Sequence, residues 1–306
     1  MKTEAAATSS RRRLLPRGAL GTVVPVATIV AALVVIWYLA ALVMNLPGVR
    51  DGFEREETPY TTMDLVVGAY TAERPVLPAP HQILDELANS VFFYPPTSPR
   101  SLVYHAWVTL SATLTGFIIG ALLGTLLAIL IIYVRTLEKS LLPWIISSQT
   151  VPILAIAPIV IVVLGSIGIR GLFPKSIISA YLCFFPITVG MVKGLNSPDP
   201  LQRDLMRTYS ANGVQTFAKL RWPSSLPFLF ASLKVAVAAS LVGAIVGELP
   251  TGAQAGIGAR LLAGSYYGQT VQIWAALFAG ALLAALLVGL IGLAERLSNA
   301  AMGRVS

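Results

Sequence analysis

SPDPLQRDLMRTYSANGVQTFAKLRWPSSLP, residues 197–227, is the only long polar stretch between the hydrophobic segments of the second half of the chain. Asp199-Pro200 predicts a helix start, with Asp as the N-cap and Pro at the first helical position. The apolar residues after it recur at helical spacing and predict one apolar face: Leu201, Leu205, Met206 and Tyr209. We expect this helix to end at residues 210–213, because Asn-Gly tolerates the left-handed backbone of a tight turn.

A second short helix follows the turn, with Val214, Phe217 and Leu220 on one face. Pro223 and Pro227 are then expected to stop this helix and redirect the chain into the next apolar run. Neither helix is long or apolar enough to cross a bilayer. Residues 197–227, which we call the elbow, therefore have the form of a two-helix element that docks on a partner outside the membrane.

The composition is that of a polytopic membrane protein. Of the 306 residues, 56% are hydrophobic and 12% are charged, against about 25% charged residues in globular domains. The net charge of +8 does not indicate nucleic-acid binding, because the cations are not gathered into one arm or stripe. The single cysteine, Cys183, lies in an apolar run, so the chain has no disulfide framework or cysteine-based metal site.

Six apolar stretches predict an all-α protein with six transmembrane helices. The first runs from about residue 21 to 45, which is too long for a signal-peptide core, and is interpreted as an uncleaved span. The other five are expected near 105–134, 142–165, 176–194, 226–247 and 273–294. The resulting division is an N-terminal tail (1–20), the first span (21–45), an extracytoplasmic loop with a short amphipathic helix near 82–93 (46–100), a five-helix core (101–296) and a C-terminal tail (297–306).

The distribution of basic residues predicts the orientation. With six spans both termini lie on one side of the membrane, and placing that side in the cytoplasm puts fourteen Lys and Arg residues in inside segments and seven in outside segments. This excess agrees with the positive-inside rule and places the elbow in the cytosol. Lys234, inside the fifth span, is expected to extend its amine toward the interface.

Small residues and prolines mark two further features of the spans. Gly116, Gly120 and Gly124 recur at every fourth position and predict close helix packing, within one chain or across a dimer.

The third span contains three prolines and the polar pair Gln149-Thr150. A broken helix is tolerated in a membrane only where protein or a water-filled cavity satisfies its backbone. Gln149, Thr150 and Pro152 therefore either line a translocation path or form a structural kink.

Glu248 is a carboxylate at the outer edge of the fifth span. Because ionisable groups at membrane depth are costly and tend to be functional, Glu248 is a candidate gate or substrate contact, with a snorkelling side chain or a helix-end ion pair as the alternative. The Gly-rich segment after it contains Arg260, Tyr266 and Tyr267 and is expected to be an extracytoplasmic re-entrant segment that contacts a docked partner. The chain has no P-loop motif, so any ATPase must be a separate polypeptide.

The elbow resembles the cytoplasmic "EAA" loop of the permeases of binding-protein-dependent ABC importers, whose pattern is roughly E-A-A-x-x-x-G-A followed by L-P. Asp204 falls at the Glu position, Leu205-Met206 at the two Ala positions, Ser210-Ala211 at Gly-Ala and Trp222-Pro223 at Leu-Pro. Similarity to the nitrate/sulfonate/taurine-type subfamily extends from Leu77-Pro-Ala-Pro80 to the C-terminus.

The resemblance implies a type I ABC importer (MetI-like) permease fold in the bacterial inner membrane. It implies two permease copies, two ABC ATPase subunits that bind ATP and Mg²⁺, and a periplasmic or lipid-anchored binding protein, with no enzyme activity and no cofactor in this chain. The residues expected to contact the ATPase are Asp204, Thr208, Tyr209, Ser210, Ala211, Asn212, Gly213, Phe217 and Pro223. Phe217 is expected to supply buried area at that contact, and Arg260, Tyr266 and Tyr267 to contact the binding protein.

The alternative is a secondary transporter driven by an ion gradient, which calls for paired intramembrane carboxylates and an inverted repeat. The chain has one carboxylate at the edge of a span and no clear repeat. The resemblance leaves the substrate open among sulfonates or taurine, nitrate and thiamine-precursor pyrimidines. The mostly neutral path candidates favour an uncharged or aromatic solute.

Overall fold

A computed structural model describes residues 20–250 and 255–303, and all regular elements in those ranges are helical. Residues 1–19 of the predicted N-terminal tail and residues 304–306 of the C-terminal tail lie outside the described residues. The α-helices are α1 (Leu20–Arg55), α2 (Thr62–Thr71), α3 (Pro80–Ala88), α4 (Leu102–Tyr133), α5 (Arg135–Ser148), α6 (Ile153–Ser166), α7 (Leu172–Leu195), α8 (Pro200–Thr208), α9 (Gly213–Thr216), α10 (Trp222–Glu248), α11 (Ile257–Tyr267) and α12 (Thr270–Ala301). Two short π-helices are π1 (Asn89–Phe93) and π2 (Phe217–Arg221).

Five helices of the described ranges are long and apolar enough to cross a membrane: α1, α4, α7, α10 and α12. The pair α5 and α6 meets the same test together, but it bends by 97° at the break between them. Counting this pair as one broken span gives the predicted six. The break falls before Pro152, which cannot donate a backbone hydrogen bond and disfavours a helical conformation at the preceding residue.

Helix α7 is the centre of the core, and glycines of α4 bring it close. A Cβ on Gly120 would lie 2.1 Å from Cys183 Sγ, and one on Gly116 would lie 2.5 Å from the Ser176 carbonyl oxygen. Gly243 of α10 lies against Ser179 in the same way. The glycine repeats therefore pack within one chain, which answers the question that the sequence left open.

Buried hydroxyl groups join α4, α7 and α10 at this centre. Ser179 Oγ donates to the Ser240 carbonyl oxygen at 2.7 Å, and Ser240 Oγ donates to the Thr113 carbonyl oxygen at 2.9 Å. All three side chains are fully buried. Small polar residues of this kind satisfy one another between helix backbones where no water is available.

The chain divides into two compact units, one ending at Gln82 and the other beginning at Ile83. In the first unit, α1 continues ten residues beyond its predicted end at residue 45, to Arg55. This corrects the prediction for 46–100, which expected one short helix near 82–93, since the segment also contains the end of α1 and helix α2. The extension is stabilised by packing, because a Cβ on Gly68 of α2 would lie 2.7 Å from Val49.

Buried Asn45 ties the first unit together. Its amide nitrogen donates to the carbonyl oxygens of Ala69 and Leu77, and its oxygen accepts from the backbone N–H groups of Val76 and Leu77. The amphipathic helix predicted near 82–93 corresponds to α3 and π1 of the structure. The predicted C-terminal tail is helical as far as Ala301.

Candidate functional site

The elbow forms two short helices whose N-termini are capped by side chains. The Leu201 backbone N–H donates to Asp199 Oδ1 at 2.8 Å, and the Asp199 N–H donates to Gln202 Oε1 at 3.2 Å. This arrangement confirms the predicted N-cap at Asp199 with Pro200 at the first helical position. Asn212 and Gln215 form the same reciprocal pair at the start of α9. Capping of this kind satisfies N–H groups that the helix itself leaves free.

The apolar face of the elbow is uncovered. Leu201, Tyr209 and Val214 are each 77% exposed, and Leu205 is 55% exposed. Asp204 lies beside this face and pairs with Arg207 of the same helix at 3.4 Å. Exposed apolar side chains clustered on a rigid element mark a surface that a partner covers.

The left-handed turn of the elbow lies at Ser210, which has a φ of +52°. The prediction that Asn212-Gly213 would supply this conformation is wrong, because Asn212 is extended and caps α9. Ser210 occupies the position at which the resembled pattern has Gly, the residue that adopts a positive φ without strain. Ala211 follows it, and its N–H donates to the Met206 carbonyl oxygen at 2.9 Å, which closes α8.

Phe217 and Pro223 lie at the base of the elbow rather than on its open face. The Phe217 ring packs against Tyr133 and Trp222, with centroid distances of 6.3 and 5.9 Å, and contacts the buried core of the second unit. Pro223 stands near the start of α10 and does not stop the helical run, which passes from α9 through π2 into α10. Tertiary packing of Phe217 thus anchors the elbow to the membrane core.

The bent pair α5–α6 places Gln149, Thr150 and Pro152 at its break. Thr150 is exposed and Pro152 is the N-cap of α6. The Tyr181 hydroxyl donates to the Ser148 carbonyl oxygen at 2.5 Å, so α7 supplies the partner for a carbonyl that the break frees. Gln149 Nε2 is buried without a hydrogen-bond partner among the described residues.

Glu248, the last residue of α10, is fully buried and holds the start of α11. Thr109 Oγ1 donates to its carboxylate at 2.9 Å, and the Gly258 N–H donates to Oε2 at 2.9 Å. Lys175 Nζ lies 3.5 Å from Oε1. The carboxylate therefore has an ion pair and the N-terminus of a helix as partners, an arrangement in which negative charge is stabilised.

A second layer of bonds fixes the backbone around Glu248. Thr109 Oγ1 accepts from the Ile257 N–H at 2.8 Å, and Lys175 Nζ donates to the Ala255 carbonyl oxygen at 3.0 Å. His105 Nδ1 accepts from the Gly256 N–H at 3.0 Å, so the ring carries its proton on Nε2, which lies 2.9 Å from the Pro99 carbonyl oxygen. We call these side chains, with Glu248, the Glu248 clamp. Its geometry is that of the helix-end ion pair, the alternative that the sequence left open.

Sequence reasoning missed most of the Glu248 clamp. The local sequence around Thr109, Lys175, Gly256 and Gly258 has no pattern that predicts a contact with Glu248. Gly256 has a φ of +125°, and a Cβ there would lie 2.1–2.3 Å from the carboxyl group of Glu248. The one available signal was the Gly-x-Gly spacing at Gly256 and Gly258, which begins eight residues after the edge carboxylate.

A cavity of about 590 Å³ lies at the Glu248 end of the second unit, between α4, α6, α7 and α10. Its lining includes Tyr104, Ser111, Arg170 and Lys175. Cavities of this size accept small organic molecules. Arg170 and Lys175 are positively charged, whereas the residues that the sequence predicted for the translocation path are mostly neutral.

Helix α11 presents the residues predicted to contact a binding protein. Tyr266 and Tyr267 at its end are 74% and 70% exposed. Arg260 lines a separate polar cavity together with Glu86 and Arg100. Burial raises the pKa of Glu86, and the positive charge of Arg260 opposes that rise.

Comparisons with known proteins agree with this architecture. Residues 116–304, more than half of the chain, match the family described as "Binding-protein-dependent transport system inner membrane component". The riboflavin transport system permease protein of Chloroflexus aurantiacus is 36% identical over 208 residues, which cover 67% of this chain and 75% of that protein.

Two further relatives are permeases with other named substrates. The formylaminopyrimidine transport permease protein of Halalkalibacterium halodurans is 32% identical over 60% of this chain and 68% of its own length. The putative aliphatic sulfonates transport permease protein of Bacillus subtilis is 25% identical over 63% of this chain and 68% of its own length. With its capped polar elbow, membrane-spanning helices and matched region, the chain belongs to the family of inner membrane components of binding-protein-dependent transport systems, and it is an ABC transporter permease.

Proposed function

We propose that the elbow docks on a separate ABC ATPase and transmits its movement to the membrane helices. The observation that carries this proposal is the uncovered apolar face formed by Leu201, Leu205, Tyr209 and Val214 on two side-chain-capped helices. A rigid element with an apolar face fits the helix-in-groove mode of recognition. Phe217 packs against the membrane core and holds the base of the elbow in place.

In the proposed assembly, two copies of the chain combine with two ATPase subunits, which bind ATP and Mg²⁺. ATP-driven closure of the ATPases moves the two elbows, and each elbow moves α10 through the continuous helical run from Gly213 to Glu248. A short element docked on a moving partner can in this way shift a two-state membrane domain. The bent pair α5–α6, with Gln149 and Thr150 at its break, lines the solute path in this proposal.

The proposed cellular location of the protein is the bacterial inner membrane, with both termini and the elbow in the cytoplasm. The excess of Lys and Arg in the segments assigned inside supports this orientation. It places Tyr266 and Tyr267 of α11 on the outer face, where an extracytoplasmic binding protein would deliver solute.

For the substrate, we propose a small heterocyclic or aromatic solute. Two relatives named above carry riboflavin and formylaminopyrimidine in their names, and both are more similar to this chain than the sulfonate permease is. The neutral amide and hydroxyl of Gln149 and Thr150 suit hydrogen bonding to such a ring. Thermal-shift screening of the partner binding protein against flavins, pyrimidines and sulfonates tests this assignment, and a sulfonate as the only stabilising ligand would contradict it.

The test of the coupling role is Ser210→Asp or Ala211→Asp in the complete transporter. Asp tolerates the left-handed conformation at position 210, so the turn is kept while a charge enters the docking face. We expect uptake to fall by at least about tenfold and the ATPase to be released on purification, with permease abundance unchanged. Ser210→Gly is the matched control and should retain uptake, because Gly adopts the same φ without strain. Normal uptake with Asp at either position would exclude the coupling role.

A further inference from the structure

An ion pair joins two membrane-spanning helices of the second unit. Lys234 Nζ of α10 donates to Glu295 Oε2 of α12. The sequence predicted that Lys234 would extend its amine toward the interface, and in the structure a carboxylate of α12 holds that amine. The lysine and glutamate side chains are 36% and 24% exposed.

Holding α10 and α12 together does not by itself explain why this position has a charged pair. Ionisable groups within membrane spans are costly, and apolar residues of similar volume hold two helices together as well as or better than an ion pair. An ion pair does add directional geometry, which fixes the register of one helix against the other. The Lys234 side chain passes beside Gly292, where a Cβ would lie at an ordinary contact distance of 3.8 Å from Lys234 Cε.

The pair also has a distinctive position relative to the elbow. Among the ion pairs of the described residues, Arg50–Glu54 and Asp204–Arg207 lie within single helices, and Lys175–Glu248 lies at the far end of α10. Lys234 follows Trp222 by twelve residues, about 18 Å along the helix. It therefore lies between the elbow and the Glu248 clamp, on the helix that continues from the elbow.

We propose that Lys234 and Glu295 are positioning residues that make α12 move together with α10 when the elbow moves. This inference rests on the proposed coupling function of the elbow. Helix α12 packs on both α10 and α11. Movement passed to α12 therefore reaches the α11 segment through a second route besides Glu248, and a loosened pair lets α10 move while α12 stays behind.

The test uses the complete transporter in proteoliposomes, with the number of solute molecules carried per ATP as the readout. Lys234→Met and Glu295→Gln should each retain binding-protein-stimulated ATP hydrolysis and lower the solute-to-ATP ratio by about tenfold. The charge swap Lys234→Glu with Glu295→Lys should restore the ratio to within about twofold, because it restores the attraction. Glu138→Gln and Arg296→Met, which change the same charges on α5 and α12, should leave the ratio unchanged.

A second measurement covers variants that fold poorly. Lys234→Cys combined with Glu295→Cys lacks the ion pair, so a homobifunctional maleimide should join these two cysteines with different yields in ATP-free and vanadate-trapped transporter, because α10 then moves without α12. An equal cross-linking yield in the two states, single variants with an unchanged solute-to-ATP ratio, or a charge swap that fails to restore that ratio would each overturn the proposal. Wild-type transporter without any ATP-driven uptake would instead contradict the proposed function itself.

Discussion

At the scale of single residues, Glu248 shows how a buried charge can serve the backbone. Its carboxylate accepts from Thr109 and Gly258 and faces Lys175, while the same threonine and lysine bind the backbone at Ile257 and Ala255. The group therefore links α10 to the beginning of α11. Removing one member of such a network leaves the others buried and unpaired, which costs more than the bond itself contributes.

Glu248→Ala should destabilise the protein by about 3–5 kcal/mol, because it removes the buried carboxylate that faces Lys175 and accepts from Thr109 and Gly258. Glu248→Gln keeps hydrogen-bonding atoms in place and should cost less. The measurement is the unfolding temperature of the purified chain in detergent, with exposed Glu73→Ala as the control. An Ala variant as stable as the control would contradict the clamp.

At the scale of elements, the contact of α4 with α7 depends on the absence of side chains at glycine positions. The contact at Gly120 is the tightest of these, because it meets both the Cys183 side chain and the Ala180 carbonyl oxygen. Backbone atoms cannot move aside as the end of a flexible side chain can, so the two helices must separate if position 120 gains bulk.

Gly120→Val should lower stability by at least about 1–3 kcal/mol, the usual cost of overpacking, and reduce the yield of monodisperse protein. Gly289→Val is the matched control, because nothing lies within 4 Å of a Cβ at that position of α12. Thermal unfolding followed by size-exclusion chromatography separates the two variants. Equal behaviour would show that α4 and α7 are not in the close contact described.

At the scale of the whole molecule, the proposed orientation is open to a direct check. Cys183 is fully buried in the core, so a membrane-impermeant maleimide should leave the wild-type chain unlabelled. Asn212→Cys should react in inverted membrane vesicles and not in intact spheroplasts, and Tyr266→Cys should show the opposite pattern. Labelling of Asn212→Cys from outside would reverse the orientation and remove the elbow from the cytoplasm.

The sequence predicted those parts of the molecule that depend on local patterns. Hydropathy identified the candidate spans of the described residues, Asp199-Pro200 predicted the start of α8, and the glycine repeats predicted close packing. It did not predict the side on which Phe217 packs, nor the extension of α1 past Pro47, because tertiary contacts decide both. The clamp pairs Glu248 with Thr109, 139 positions away, and one sequence holds no signal for such pairs.

The helical run from Gly213 to Glu248 begins in the elbow and ends in the Glu248 clamp. At 1.5 Å per residue it is about 54 Å long, more than the roughly 30 Å hydrocarbon thickness of a bilayer. Such a rod carries a displacement of one tip to the other unless it flexes. Its regular α-helical hydrogen bonding is interrupted at the π turn, Phe217–Arg221, and at Pro227. In the proposed coupling, a push of a few ångströms on the elbow would thus reach the opposite side of the bilayer within a single piece of secondary structure.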